Sequence, residues 1–453
     1  MPTIAAISTP AGTGGIAVIR ISGEDALKVT DAFCRRFAEG RSVSELAGGR
    51  AARVRILDEH GEPLDDGLVT VFRAPASYTG EDTVEISCHG GAYLARAVLR
   101  SALASGAVPA GPGEFTKRAF LNGKLSLTQA EAVMRLISAE GRSSAKAALS
   151  LLEGSLSASL RKLRERLNDT AAHISAWIDF PEEDVEEVSP EALEETLVYV
   201  CGELETLVRG YDRGRLVSDG INAVICGRPN VGKSTLMNLL SGCERSIVAS
   251  VPGTTRDIVE DSVQLEGYTL RLSDTAGLRE TSDEVESIGV ERAKRRIEQA
   301  DLVLAVFEGS EEALREDIEL TETLKGGYIA VVNKSDLGQK LSPELFKGAR
   351  EVVYISAKTG EGFERLREAM LRALELDGLD ASAPMLAGER QLCCAKAALD
   401  AVREALDALH GGMTLDAIWV CLQSALGSLC ELDGLSAEES MIDAVFRDFC
   451  VGK

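Results

Sequence analysis

The sequence predicts an α/β N-terminal domain followed by an all-α helical domain, which is interrupted by an inserted α/β nucleotide-binding domain. Three observations carry this expectation. Short β-like runs alternate with Gly/Pro turns over the first 117 residues. From about Arg118 apolar residues recur at steps of three and four. Between Ile221 and about Leu374 apolar strands and helices alternate around a glycine-rich loop, as a parallel α/β domain requires.

Taken in chain order, Ile16–Ile19 and Leu68–Val71 read as strands of a compact first domain, residues 1–117. Residues 118–214 read as the first part of the helical domain. There Leu149, Leu152, Leu156, Leu160, Leu163, Leu167, Ala171, Ile174 and Ile178 form one continuous helical stripe, ending near Phe180-Pro181, where proline disfavours further helix. A second helical pattern runs from Pro190 to Tyr211. Residues 215–376 read as the inserted domain. Asp380-Ala381-Ser382-Ala383-Pro384 reads as a linker, and helical patterning returns within residues 377–453, which complete the helical domain.

The bulk numbers exclude several classes. A length of 453 residues suits roughly two to four domains. A hydrophobic share of 45% with 27% charged residues is ordinary for a globular chain, so disorder is not the default. No run approaches the roughly 18 uninterrupted apolar residues of a membrane span. The start, Met1-Pro2-Thr3-Ile4, lacks the basic and apolar regions of a signal peptide, so the expectation is a cytoplasmic protein without a membrane partner. The ten cysteines include no CxxC pair and several lie in apolar runs, which suits reduced thiols; Cys450 alone is expected to be exposed. A net charge of −23 repels phosphate backbones at long range, so contact with RNA is expected to be local or carried by a partner.

The chemistry concentrates between Ala223 and Lys358. The apolar strand Ile221–Cys226 runs into Gly227-Arg228-Pro229-Asn230-Val231-Gly232-Lys233-Ser234-Thr235 and then an apolar helix. In this strand–loop–helix context backbone N–H groups curl around phosphate oxygens, Lys233 reaches the terminal phosphates and Ser234 ligates magnesium. Asp274-Thr275-Ala276-Gly277 follows a strand about 40 residues on; the aspartate can hold magnesium through water and the glycine N–H can approach the γ-phosphate. Asn333-Lys334-Ser335-Asp336 follows another strand. The Asp336 carboxylate can accept from both N1–H and the exocyclic amine of guanine, a donor pair that adenine lacks; leaving such a group unpaired discriminates by on the order of 10⁴-fold. Ser356-Ala357-Lys358 completes the base pocket. Between the first two motifs, Gly253-Thr254-Thr255-Arg256-Asp257 is a candidate switch that closes on magnesium. The residue after DTAG is Leu278, which cannot orient water, so another group must do so; the acidic run Glu280–Glu286 offers candidates.

With these residues placed, the whole chain resembles the MnmE (TrmE) family of tRNA-modification GTPases. The resemblance extends beyond the GTP motifs to Arg20-Ile21-Ser22-Gly23, Ser77-Tyr78-Thr79-Gly80-Glu81-Asp82, Pro112-Gly113-Glu114-Phe115-Thr116, Leu127-Thr128-Gln129-Ala130-Glu131-Ala132, Asp179-Phe180-Pro181 and the terminal Phe449-Cys450-Val451-Gly452-Lys453. It implies that the inserted unit is a Ras-like P-loop GTPase domain, that the N-terminal domains build a homodimer, and that they bind a tetrahydrofolate one-carbon carrier (5-formyl- or 5,10-methylene-tetrahydrofolate). The folate contacts fall on Arg20, Glu85, Lys124 and Lys453. Cations suit an anionic glutamyl tail and a carboxylate suits pterin N–H groups.

The resemblance also implies potassium-stimulated hydrolysis on pairing of the GTPase domains. The potassium ligands match Asn230 and the loop Ala249-Ser250-Val251-Pro252-Gly253-Thr254-Thr255, through Ala249, Val251 and Thr254, while Ser234 and Thr255 face magnesium. This chain has Ala249 where the family often has threonine, a change a backbone ligand survives. The water-positioning carboxylate matches Glu286, twelve residues after Asp274. Arg256 and Arg279 match switch arginines, and Cys450 matches a near-terminal cysteine suggested to participate in the chemistry. The family works with the flavoprotein MnmG (GidA), which carries FAD, in a heterotetramer or larger complex to modify C5 of the wobble uridine of certain tRNAs. The competing expectation is a switch GTPase for ribosome assembly without folate chemistry. It shares the nucleotide motifs but not the N-terminal block or the FCVGK tail.

Overall fold

The computed structural model describes residues 1–37, 41–179, 188–242, 261–274, 295–324, 327–436, 439–447 and 449–452. Two compact units result: residues 1–134, 160–172 and 422–453 form one, and residues 135–159 and 173–421 the other.

The first unit is built on a seven-stranded sheet, in the order β3-β4-β5-β6-β2-β1-β7. The strands are β1 (Ile4–Ile7), β2 (Ile16–Ser22), β3 (Cys34–Arg36), β4 (Arg50–Leu57), β5 (Pro63–Phe72), β6 (Thr83–His89) and β7 (Val108–Pro109). All pairings are antiparallel except β1 with β7. Both strands read from the sequence are present, in β2 and β5. One face alternates Ile19, Ile21, Val54, Ile56, Val69, Val71, Val84 and Ile86, all fully buried with Val98 of α2 (Ala92–Ala104) and Val29 and Phe33 of α1 (Ala26–Phe33). Burying each such side chain contributes about 1.5–3 kcal/mol, which fixes the strand register because a one-residue slip would expose the whole face.

In α3 (Glu114–Leu121) the largest fully buried side chain is that of Arg118. Its guanidinium meets Glu81 Oε2 at 3.1 Å and Glu114 Oε1 at 2.8 Å, and donates to the Pro2 carbonyl at 2.8 Å. A buried charge persists only when paired and hydrogen-bonded in this way.

The second unit contains a six-stranded sheet ordered β13-β12-β11-β8-β10-β9, formed by β8 (Ile221–Cys226), β9 (Asp261–Leu265), β10 (Tyr268–Asp274), β11 (Leu302–Glu308), β12 (Ile329–Asn333) and β13 (Glu351–Tyr354). It is parallel, as the alternation of strands and helices predicts, except for the edge strand β9, which pairs antiparallel with β10. A two-residue turn, Glu266-Gly267, joins β9 to β10 with φ of 50° and 88°, and so short a link allows only an antiparallel pair. β11 and β12 are buried at every position, as strands covered on both faces must be.

The helical stripe is not one helix. After α4 (Leu127–Ile137) it divides into α5 (Arg142–Leu152) and α6 (Ser155–Asp179), with Gly154 at φ +90° between them. A left-handed residue ends an α-helix because it turns the next N–H away from the i−4 carbonyl. Leu156, Leu160, Leu163, Leu167, Ala171 and Ile174 are buried as the spacing predicts, whereas Leu149 and Ile178 at the ends are exposed. The second helical pattern becomes α7 (Pro190–Arg209) and α8 (Tyr211–Asp219). α7 starts with Ser189 accepting from Ala192 N and Pro190 at the first position. It runs antiparallel to the helix Glu389–His410, with Glu194 against His410 and Glu205 against Arg403. The segment 380–384 is no free linker. Ala381 is buried in the sheet's core, and Asp380 holds Lys146 at 2.7 Å.

Among the described residues, one helix, Leu415–Asp433, is long and apolar enough to cross a membrane by length and composition alone; Ile418, Leu422, Ala425, Leu429 and Leu432 along it are fully buried.

Candidate nucleotide site and N-terminal charged cluster

The carboxyl ends of the parallel strands carry the motif loops, the position where ligands bind in open α/β sheets. After β8 the chain leaves through Gly227 at φ +147°, where a Cβ would lie 2.4 Å from the Val306 carbonyl. Asn230 follows at φ +65° and Gly232 at φ +99°, before the helix α9 (Lys233–Gly242) begins. These left-handed residues curl the loop so that α9 presents its unsatisfied first-turn N–H groups to the loop mouth. Asn230, Ser234 and Thr235 are exposed there, while Lys233 is buried and donates from Nζ to the carbonyls of Gly227 (2.9 Å) and Arg228 (2.8 Å). The exposed Ser234 hydroxyl on the first turn is a hard oxygen donor of the kind magnesium takes.

Asn333, at the end of β12 and 3% exposed, ties three motifs together. Its Nδ2 donates to the Val231 carbonyl at 2.8 Å, and its Oδ1 accepts from Ala357 N at 2.9 Å. Gly232 is glycine for the same reason: a Cβ there would lie 2.2 Å from Asn333 Nδ2. Lys334 takes φ +62°, and its Nζ meets Glu308 Oε1 at 2.7 Å. Asp336 is exposed on the following short 3₁₀ turn, Ser335–Leu337. Ser335 N donates to Ile355 O at 3.0 Å, which joins this loop to Ser356-Ala357-Lys358. Ser356 is fully buried, with its N–H on the Glu361 carbonyl, and Lys358 is exposed.

Asp274 ends β10 opposite Ile225 of β8, so the backbone brings it beside the strand that feeds the loop. The expected loop Ala249, Ser250, Val251, Pro252, Gly253, Thr254, Thr255, the residues Thr275, Ala276 and Gly277, the arginines Arg256 and Arg279, and Glu286 lie outside the described residues, as does Lys453.

The first unit brings together Arg20 and Glu85, which face each other across β2 and β6. Arg20 Nε donates to Glu85 Oε1 at 3.0 Å, and Nη2 lies 2.9 Å from the same oxygen. Residues 65 apart in sequence are therefore one cross-strand pair, which spacing could not reveal. Arg20 is mostly buried, with its guanidinium 5.4 Å from the Tyr78 ring centroid and 5.5 Å from that of Phe115. Burial raises the Tyr78 hydroxyl above its ordinary pKa, against the opposing influence of Thr116 and Arg20. The C-terminal tail reaches the same place: Gly452 O accepts from Ser8 Oγ at 3.0 Å and from Arg20 Nη1 at 3.4 Å, and Gly113 N donates to Cys450 O at 3.3 Å. Lys124 is exposed and donates to the Pro75 carbonyl at 3.0 Å, at the start of the loop that carries Tyr78. Cys450 is exposed as expected, but so is Cys393, on the outer face of its helix.

Sequence reasoning missed Arg118 and Glu308. A lone arginine or glutamate in a helix or strand pattern reads as surface charge, and only the fold shows both to be buried.

A family model for the N-terminus of GTP-binding protein TrmE matches residues 3–124, and one for the MnmE helical domain matches residues 127–450. The tRNA modification GTPase MnmE of Bacillus velezensis is 42% identical over 462 aligned positions, covering 100% of each chain; that of Bacillus subtilis is 41% identical with the same coverage. The chain belongs to the MnmE family of tRNA modification GTPases. The MnmE of Symbiobacterium thermophilum is also 41% identical, over 100% of this chain and 99% of its own. Among solved structures, the G domain of the T. maritima FeoB iron transporter is 30% identical over 34% of this chain and 98% of its own, with a TM-score of 0.25. An Aquifex aeolicus Era variant bound to GDP·AlF4− is 27% identical over 40% of this chain and 66% of its own, with a TM-score of 0.26. As an MnmE-family member, the chain is a GTP hydrolase that acts in tRNA modification. Its architecture is an α/β N-terminal domain with a helical domain interrupted by a GTPase domain.

Proposed function

We propose that this chain is a potassium-dependent GTPase of the cytoplasm. With the flavoprotein MnmG, it adds a carboxymethylaminomethyl or aminomethyl group to C5 of the wobble uridine in certain tRNAs. A tetrahydrofolate one-carbon unit supplies the carbon, and FAD acts on the partner. The observation that carries the GTP-site reading is Asn333, whose side chain joins the P-loop at Val231 to the base loop at Ala357. In this reading Lys233 and the first turn of α9 hold phosphates, Ser234 and Thr255 hold magnesium, and Asp336 selects guanine. Asn230 with the carbonyls of Ala249 and Val251 and with Thr254 would hold potassium. That cation supplies charge stabilisation where phosphate oxygens gain charge, and Glu286 orients the attacking water.

Residues 1–117 form the folate and dimerisation domain, 118–214 and 377–453 the helical domain, and 215–376 the GTPase domain. The juxtaposition of Arg20, Glu85 and the C-terminal tail supports the folate reading, because it gathers a cation, a carboxylate and the segment that ends in Lys453 at one place. Burial of Arg20 against two aromatic rings suits a flat pterin beside it.

The deciding experiment measures GTP turnover by the full-length protein in potassium and in sodium chloride at equal ionic strength, with Glu286→Ala alongside. Faster turnover in potassium, abolished by Glu286→Ala with GTP binding retained, is the expected result. Equal rates in the two salts would remove potassium from the mechanism. Calorimetry with 5-formyltetrahydrofolate tests the second site; absence of binding would leave the switch GTPase without folate chemistry.

A further inference from the structure

Three strand ends meet at the carboxyl edge of the six-stranded sheet: Gly227-Arg228 after β8, Glu308 at the end of β11, and Asn333-Lys334 at the end of β12. Glu308 stands opposite Asn333 in the register and is 8% exposed. A carboxylate this buried needs compensating partners. They are Lys334 Nζ at 2.7 Å, Ser310 Oγ donating at 2.9 Å, and Arg228 Nη2 at 3.9 Å. Burial on its own would raise its pKa, but Lys334, Ser310 and Arg228 together hold it below the usual value. Arg228 is itself braced by Glu311 at 2.8 Å and by the buried Asp317, 3.4 Å from its Nε.

The two cations belong to different motif loops. Arg228 lies in the P-loop, and its own carbonyl accepts from Lys233 Nζ. Lys334 lies in the NKSD loop at φ +62°, a conformation that non-glycine residues hold only when their surroundings impose it. Among the described residues, the Glu308 carboxylate is the one group that pairs with both side chains.

We propose that Glu308 is a positioning residue that cross-braces the P-loop and the guanine-reading loop, so that nucleotide affinity and guanine selection depend on its carboxylate. This rests on the reading of those loops as one guanine-nucleotide site, and it adds a residue that lies in none of the motifs. Without the carboxylate, the Lys334 ammonium loses its anchor and the left-handed turn that sets Asp336 relaxes. Asp336 then meets the base less well. Arg228 is left with Glu311 and Asp317 alone, neither of which touches Lys334. The chemical step, which uses neither side chain, is untouched.

The test compares wild type with Glu308→Gln in the full-length protein, by fluorescent-GDP titration, competition with IDP (which lacks the exocyclic amine), and steady-state GTP turnover. Loss of one charge-assisted brace is expected to weaken GDP binding about tenfold or more. The preference for GDP over IDP should narrow, KM should rise, and kcat at saturating GTP should stay within about twofold. Glu308→Asp should recover part of the affinity. Ser310→Ala, a milder change at a half-buried position, should weaken GDP binding about two- to threefold with the thermal midpoint unchanged. A folded Glu308→Gln protein with wild-type GDP affinity, or a fall in kcat at unchanged KM, overturns the proposal. Unchanged affinity in Ser310→Ala together with a merely lowered melting temperature in Glu308→Gln also overturns it. Asp336→Ala separates the two failures. Retained GDP affinity in that variant undermines the site reading itself, whereas loss there with none in Glu308→Gln sinks the brace alone.

Discussion

Replacing Asn333 with alanine removes two buried hydrogen bonds at once, to the Val231 carbonyl at 2.8 Å and from Ala357 N at 2.9 Å. Val231 is fully buried and Ala357 is 7% exposed, so water cannot easily replace the lost partner. A made hydrogen bond is worth about 1 kcal/mol net, and an orphaned buried donor or acceptor costs about 1–3 kcal/mol. Two orphans give about 2–6 kcal/mol, shared between folding stability and nucleotide binding, since the P-loop and the base loop are held together by this side chain. If half falls on binding, GDP affinity drops about five- to 150-fold. Asn333→Asp should be at least as damaging at neutral pH. Its second oxygen would face the Val231 carbonyl, oxygen against oxygen, while only the Ala357 bond survives. Fluorescent-GDP titration and thermal unfolding of the full-length variants measure the two shares. An Asn333→Ala protein with GDP affinity within twofold of wild type and an unchanged midpoint would show that the clamp carries no energy.

Three further outcomes follow from the same structure. Arg118→Met should destabilise the first unit by about 3 kcal/mol in urea unfolding, because Glu81 and Glu114 lose their shared partner in a poorly solvated site; a loss below about 0.5 kcal/mol would mean that the pairing is compensated. Burial pushes the Cys226 thiol up to about 12 and the Cys88 thiol up to about 11, so peptide mapping after thiol labelling of the native protein at pH 8 should find Cys393 and Cys450 modified first. Since these folded pKa values are raised, the two thiols' contribution to stability is complete below the unfolded value of about 8.5 and is lost as pH rises towards the folded values. Asp380 behaves in the opposite sense. Lys146 and Ser382 hold its carboxyl below the usual range, so its contribution is present above about pH 4 and lost as pH falls further; Asp380→Asn should flatten that part of an acid-unfolding profile, and an unaltered profile would remove the contact from the acid response.

Much of the fold was legible because its signals are local. Gly227 to Thr235 between an apolar strand and an apolar helix is a phosphate loop wherever it occurs, and the Leu156–Ile174 spacing places one face of a helix without any partner being known. The break at Gly154 was not legible, since a glycine inside a periodic stripe can be tolerated within a helix or can end it, and the apolar spacing is the same in both cases. The antiparallel edge strand β9 was not legible either, because apolar patterning does not encode strand direction.

The sequence by itself determined the classes of chemistry: the order of loops after strands, the aspartate that can read guanine, and the family. These depend on backbone geometry and residue types within a few positions of one another. Only the tertiary structure decided which distant residues act together. Arg20 met Glu85 across two strands, Asn333 met Val231 and Ala357, Arg118 became a buried hub, and Glu308 became a shared counter-ion for two loops. Strand order and register set those encounters, and they arise from burying one apolar face over the whole sheet. That is a collective property, and no single stretch of sequence carries it.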